Sequence, residues 1–293
     1  KDLNFILNPS LKSHLPDPYN LKNMKQATEI VAKKIIDKEK IGLLGDYDVD
    51  GATSTAMLYK YLKDIDIKSE VYIPDRIKDG YGISLNSIEY FKEKKVSFLI
   101  TLDCGTNDTK SIDHAKSLGI DIIVIDHHEV KNLGMPLEII NPKLKDDLSG
   151  LENLCTVGLV FLFIVALNRS LRTKKLFSDN FEPNLKKLLD IVALGTICDL
   201  VPLQNANRLL VKKGLEKINL NPNKGLSVLK SKLELENKIK STDIAYYIGP
   251  CINAAGRIGD PFLGFNLLVK NEKKDLEIIA ENLINSNNER KTL

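Results

Sequence analysis

A doubly wound α/β fold with a mainly parallel sheet is what this sequence predicts, on three observations. Short apolar runs of strand length recur at KIGLLGD (40–46), SFLITLD (97–103) and IDIIVID (120–126), and each closes on an aspartate. Helical stretches lie before and after them, so strand, polar end and helix form the repeating unit. The 293 residues, 43% hydrophobic and 28% charged, give an ordinary globular balance with enough chain for a sizeable core.

The elements follow in order. After the first run, GATSTAMLYKYL (51–62) has the spacing of a helix packed on a sheet. Asp50 stands near the start of that helix, where a carboxylate caps free amides and the macrodipole favours negative charge. TVGLVFLFIVAL (156–167) is shorter than the roughly 20 residues that span a bilayer, so it reads as a core helix. PNLKKLLDIVALGTI (183–197) joins it in a helical layer against the sheet and leads to Asp199. Between them RTKKLFSDNFEPN (172–184) reads as a surface connection, with Pro183 suited to a first helical turn. EKKDLEIIAENLINSNNERK (272–291) reads as an amphipathic helix with Leu276, Ile279, Ala280 and Leu283 on one face. The expected organisation is a catalytic α/β domain over residues 1–220 and a helical connector over 221–293.

Net charge is only +3, so the field of the whole molecule does not argue for nucleic acid. Any such affinity must come from local patches, for which Arg76 with Lys78, and Arg169, Arg172, Lys174 and Lys175, are the candidates. The four cysteines, Cys104, Cys155, Cys198 and Cys251, form no CxxC pair, which argues against a zinc site or a disulfide framework. They read as reduced thiols, and a cytoplasmic protein without membrane association is expected.

Chemistry concentrates in four segments. GDYDVDG (45–51) supplies Asp46, Asp48 and Asp50 at alternate positions, TLDCGT (101–106) supplies Asp103, IVIDHHEV (123–130) supplies Asp126, His127 and His128, and GTICDLVP (195–202) supplies Asp199. One aspartate at a strand end is most often a cap or a turn former. Four such segments are more than coincidence. In open parallel sheets ligands collect outside the carboxyl ends of the strands, so these residues should converge. Carboxylates with imidazole suit manganese or magnesium better than a structural zinc, and a cluster this acidic would repel itself without cations.

In this order the four segments resemble the motifs of the DHH phosphoesterases. GPCINAAGR (249–257) is similar to the signature that follows them in RecJ-type single-strand-specific exonucleases, and LNPSLKSHLPDPYNLKNMKQA (7–27) to the leader that precedes them. The resemblance implies that Asp48, Asp50, Asp103, His127 and Asp199 coordinate two divalent cations, usually Mn2+ with Mg2+ as the alternative, and that Asp103 bridges them. Asp46 would be a direct ligand or accept from metal-held water. Asp126 would orient a histidine, His128 would face the substrate phosphate or complete the metal site, and Arg257 would grip a phosphate with its planar fork, with Asn253 beside it. The implied activity is hydrolysis of single-stranded DNA from its 5′ end in repair and recombination, with single-strand-binding protein and a helicase as partners.

Two positions depart from the pattern. Leu44 stands where many members carry a histidine before the first Gly-Asp, and Cys251 stands where many RecJ-type chains carry an arginine. Members of this type continue into a further domain that binds nucleic acid, to which the helix over 272–291 would lead. The competing readings are a DHH phosphodiesterase of short oligonucleotides or cyclic dinucleotides, and a DHH scaffold that has lost hydrolysis.

Overall fold

The computed structural model describes residues 8–177 and 181–292. Residues 178–180 of the expected surface connection, and Leu7 of the leader, lie outside the described residues. The sheet has five strands, β1 (Ile41–Gly45), β2 (Ser69–Tyr72), β3 (Phe98–Leu102), β4 (Asp121–Ile125) and β5 (Glu138–Ile140), in the order β2-β1-β3-β4-β5. Every neighbouring pair is parallel, with Ile41 opposite both Ser69 and Phe98. The strand order reverses between β1 and β3, and that switch point is where a doubly wound sheet opens a crevice.

Helices cover both faces, because successive side chains of a strand point to opposite sides and both sets are apolar here. Ile41, Leu43, Ile100, Leu102, Ile123 and Ile125 face one core. They pack with α1 (Met24–Ile36) and α2 (Val49–Asp64). Leu44, Leu99, Ile122 and Val124 face the other, under α3 (Leu85–Glu93) and α4 (Thr109–Ser117). Leu44 is fully buried in that second core.

The larger core continues through α5 (Thr156–Thr173) and α6 (Leu189–Cys198) into α7 (Asn205–Leu220) and α8 (Lys224–Lys232). α6 is apolar on nearly every side and buried, as a helix enclosed by neighbours must be, with Asp190 and Thr196 its buried polar residues. α5 alone among the described helices is long and apolar enough to cross a membrane, and 78% of it is buried inside the protein. It is the core helix that its sequence predicts. A π-turn over Ile244–Ile248 leads into α9 (Gly249–Ile258), followed by α10 (Phe262–Val269) and α11 (Lys273–Thr292). Leu276, Ile279, Ala280 and Leu283 are the buried face of α11, as expected, joined by Asn287.

One expectation is corrected. No helix follows the third apolar run, because residues 126–137 pass directly from β4 to β5 and the next helix is α5. The DHHE segment is therefore part of a loop at the carboxyl end of β4 rather than the start of a strand-to-helix unit.

Candidate metal centre

Each of the four segments leaves its element by a tight turn at the carboxyl end of the sheet or beside it. After β1 the chain turns at Asp46 into α2, and the approach is so close that a Cβ on Gly51 would lie 2.5 Å from the Asp46 carbonyl oxygen. Only glycine fits there. Asp48 is the N-cap of α2, accepting from Gly51 N at 2.9 Å. Asp103 ends β3 in the left-handed region with φ 68°, a conformation in which aspartate is enriched among non-glycine residues. Asp199 is the C-cap of α6, followed by Leu200 at φ 59°.

Asp50 does something its sequence position does not suggest. Its carboxylate turns from its own helix to the start of α5, where Oδ2 accepts from Thr156 N at 2.7 Å and Oδ1 from Val157 N at 2.8 Å. The Thr156 hydroxyl donates to Asp103 Oδ1 at 2.8 Å.

The side chains converge. His127 Nε2 lies 3.6 Å from Asp103 Oδ1, 3.6 Å from Asp199 Oδ2 and 3.9 Å from Asp50 Oδ2. Three sets of potential ligand atoms each fall within 4.8 Å of one another, namely Asp50 with His127 and Asp199, Asp46 with Asp48 and Asp103, and Asp103 with His127 and His128. Asp103 and His127 belong to two sets each. Asp46 Oδ1 and Asp199 Oδ2 are buried without a hydrogen-bond partner.

Electrostatics follow from this crowding. Burial, and then the Asp48 carboxylate, push Asp46 up to about 7, and the same two causes in the same order push Asp199 up to about 7. Asp50 and Asp103 are held well above the usual carboxylate range by burial and then by neighbouring carboxylates. Burial, reinforced by the charge of His128, lowers His127 to about 4, which leaves it neutral. Asp126 is the exception. Burial would raise it, but hydrogen bonds from His128 and Thr106 and the charge of His128 outweigh that and hold it at about 2. Burial depresses His128, yet the Asp126 hydrogen bond and charge raise it overall.

Two buried orphan oxygens, a neutral imidazole and mutually repelling carboxylates are a donor set that fits hard divalent cations with oxygen and nitrogen preference. The thiols do not join it. Cys104 and Cys198 are pushed up by burial and then by the surrounding carboxylates, which disfavours thiolate.

Around this centre, Asp126 Oδ1 receives His128 Nδ1 at 2.7 Å and His127 N at 2.8 Å, and Oδ2 receives Thr106 N at 3.1 Å. Asp126 thus ties the His128 ring to the turn at Thr106. The Asn253 side-chain oxygen accepts from Val49 N at 3.1 Å, so it braces the first motif between Asp48 and Asp50. Arg257 comes close because α9 lies against the first motif, where a Cβ on Gly256 would sit 2.2 Å from the Tyr47 carbonyl oxygen. Arg76 reaches the same residue, with its guanidinium 5.3 Å from the Tyr47 ring centroid. Cys251, in the position of the missing arginine, is buried and donates to Tyr247 O at 3.2 Å, away from the cluster.

The other basic candidates lie elsewhere. Arg169 pairs with Asp17 at 2.9 Å, Arg172 with Glu182 and Lys174 with Glu29 at 2.7 Å. They sit in or just beyond the last two turns of α5, roughly 20–27 Å from its start at Thr156 at about 1.5 Å per residue.

Reading the sequence missed several residues that the fold brings in. The Tyr81 hydroxyl donates to Asp103 O at 3.3 Å and lies 3.0 Å from His128 Nδ1. Asn141 Nδ2 donates to Thr106 Oγ1 at 3.0 Å and to His128 O at 2.9 Å, pinning the loop after β4. Lys143, held by Glu129 at 2.9 Å, is a cation whose charge reaches both His127 and Asp199. The sole signal for these two was the NPK that follows the apolar run of β5.

The family model for the DHH family, N-terminal domain, matches residues 40–196. The single-stranded-DNA-specific exonuclease RecJ of Salmonella typhimurium is 35% identical over 98% of this chain and 51% of its own length, so this chain spans about half the length of that curated relative. Among solved structures, an exonuclease RecJ bound to manganese matches with a TM-score of 0.82 at 29% identity, covering 93% of this chain and 67% of the other. RecJ of Thermus thermophilus in complex with Mg2+ matches with a TM-score of 0.70 at 26% identity, covering 98% of this chain and 37% of the other.

Proposed function

This chain belongs to the DHH family, and from that premise we propose that it is a metal-dependent phosphodiesterase removing nucleotides from the 5′ end of single-stranded DNA. The observation that carries this reading is the meeting of Asp46, Asp48, Asp50, Asp103, His127, His128 and Asp199 in three overlapping ligand sets. The single-strand specificity for which the RecJ relatives are named, and the manganese and magnesium bound by the solved neighbours, support the substrate and ion class.

Asp48, Asp50, Asp103, His127 and Asp199 would hold two divalent cations, Mn2+ by preference, with Asp103 between them and Asp46 as ligand or partner to held water. Cations there would activate water and stabilise the leaving oxygen. The remaining chemistry belongs to the protein's own groups. His127, neutral, keeps a lone pair for coordination. Asp126 fixes the ring of His128, which is 42% exposed and faces the approaching phosphate. Arg257 and Arg76 offer planar forks to phosphate oxygens from the side of Tyr47. Asn253 keeps the first motif in register with α9.

The same reading assigns the protein to repair and recombination in the cytoplasm, with single-strand-binding protein and a helicase as partners, and treats residues 221–293 as a connector. The test is product analysis on 5′-labelled and 3′-labelled single strands with Mn2+ and after chelation. Mononucleotide released first from the 5′ label is the expected result. Release from the 3′ label, or activity confined to dinucleotides or cyclic dinucleotides, moves the assignment to the other phosphodiesterases, and no product with intact Mn2+ binding moves it to a scaffold.

A further inference from the structure

The first turn of α5 makes three hydrogen bonds to two of the cluster's carboxylates, and all three are buried. Helix starts ordinarily satisfy their free amides with a side chain from the N-cap residue. Cys155, the N-cap here, makes no such bond. Asp50, 106 residues away in sequence, takes the two amides instead, one on each oxygen. Thr156, fully buried, adds its hydroxyl to Asp103 Oδ1.

We infer that the N-terminus of α5 is the positioning element of the metal centre, with Thr156 as its working residue. The geometry gives the reason. A carboxylate oxygen has two lone-pair directions, and a donor occupying one from behind leaves the other directed into the cluster. Val157 N and Thr156 N do this for the two oxygens of Asp50, and Thr156 Oγ1 does it for the Asp103 oxygen that lies 3.6 Å from His127 Nε2. One residue thus fixes the ligand shared by two of the three sets and a ligand of the remaining one. The helix start also supplies partial positive charge, which keeps buried carboxylates near one another before any cation arrives. Thr156 touches neither substrate nor ion, so its effect is on how tightly and in what arrangement ions are held.

This inference rests on the two-cation reading, and its test separates the two. Thr156→Val keeps the shape of the side chain and removes the donor, whereas Thr156→Ser keeps the donor. Mn2+ binding is followed by titration calorimetry and by the Mn2+ dependence of the melting temperature of the full chain. Thr156→Val should weaken Mn2+ binding by roughly 10-fold, the low end for losing a partner of a ligand, and Thr156→Ser should restore most of it. If the valine variant does not fold, Thr156→Ala against Thr156→Ser gives the same comparison. Mn2+ affinity unchanged by losing the hydroxyl, or lost equally in the serine variant, overturns the positioning role. Asp103→Asn runs in parallel. Loss of Mn2+ binding there with none at Thr156 sinks this inference alone, and no loss in either sinks the two-cation reading beneath it.

Discussion

Asp190 and two acids of the cluster, Asp50 and Asp103, are equally buried, each 1% exposed, yet only Asp190 has a lysine beside it. Asp190, in the first turn of α6, accepts from Ile191 N at 2.9 Å and Asn223 N at 2.7 Å, and Lys217 Nζ lies 3.4 Å away. Burial raises it, and those donors and the lysine charge oppose the rise. It ties α6 to α7 and to the start of α8. In the cluster the charge that acts most on Asp46 and Asp199 is the Asp48 carboxylate, and one oxygen of each is buried without a hydrogen-bond partner. A buried acid with a resident cation is a joint of the fold. Buried acids without one mark a place for an ion brought from outside.

The comparison breaks most visibly at Asp103. Asp103→Ala should bring Mn2+-dependent hydrolysis below about one-hundredth of wild type, because losing even an outer partner of a ligand costs about 10–100-fold. The fold should persist, and the ion-free protein should lose less stability than Asp190→Ala does. Relief of repulsion among buried carboxylates offsets the cost of alanine at φ 68° and of the unpaired Thr156 hydroxyl. Turnover and far-ultraviolet circular dichroism on the same sample check this. Near wild-type turnover would remove Asp103 from the centre.

Asp190→Ala should do the reverse. It leaves two backbone donors and a lysine around an empty place, at a cost of about 2–3 kcal/mol in urea unfolding, within the range for hydrogen bonds to charged groups. Turnover per folded molecule and Mn2+ affinity should stay at wild type. A stability loss from Asp103→Ala larger than that from Asp190→Ala would invert the contrast.

A smaller effect is expected from pH. Without ions, Asp46 and Asp199 at about 7 lie well above the roughly 3.9 of an unfolded aspartate, so the folded state binds more protons. Their contribution to stability is full below about pH 4 and is lost as pH rises through about 7. The ion-free melting temperature should therefore fall between about pH 5 and pH 8, and saturating Mn2+, which binds the deprotonated groups, should remove most of that slope. Calorimetry at fixed ionic strength measures both. A flat ion-free profile would mean that the cluster is as well satisfied as Asp190.

Much of this contrast was legible in the sequence, and what was hidden was hidden for one reason. β1, β3 and β4 were readable because each is a continuous apolar run closed by an aspartate, whereas β2, SEVY, is half-buried and β5, EII, is three residues long. The set of acids and imidazoles was readable because parallel strands carry their ends to one edge. The partners were not. Asp50 reads as the cap of its own helix, and only the packing of α2 against α5 delivers it to Thr156 and Val157. Tyr81 and Thr156 have no local pattern that announces them, and Asn141 and Lys143 only the NPK after β5, since each acts on a group away along the chain. Likewise the basic run at the end of α5 was a candidate patch that reads more often as solvated surface, and only the fold shows Asp17, Glu29 and Glu182 beside three of its four members.

The smallest expected effect concerns the cations that stand outside the cluster. Lys217 is engaged at Asp190, whereas among the described residues Arg257 makes no ion pair, which leaves its guanidinium for a phosphate. Arg257→Lys keeps the charge and removes the fork, so three consequences separate. Affinity of a Mn2+-loaded, inactive variant for labelled single strands should drop by about 5-fold, on the order of 1 kcal/mol for a lost bidentate contact. The dependence of that affinity on salt should not change, because the slope counts charges neutralised and an ammonium neutralises one as well. Mn2+ affinity should hold too, since Arg257 reaches the centre from the Tyr47 side and not through a ligand. Fluorescence anisotropy over a salt series reads the first two and calorimetry the third. If instead Mn2+ affinity falls as far as DNA affinity, Arg257 supports the carboxylates in the way that Lys217 supports Asp190, and the two regions differ less than their hydrogen bonds suggest.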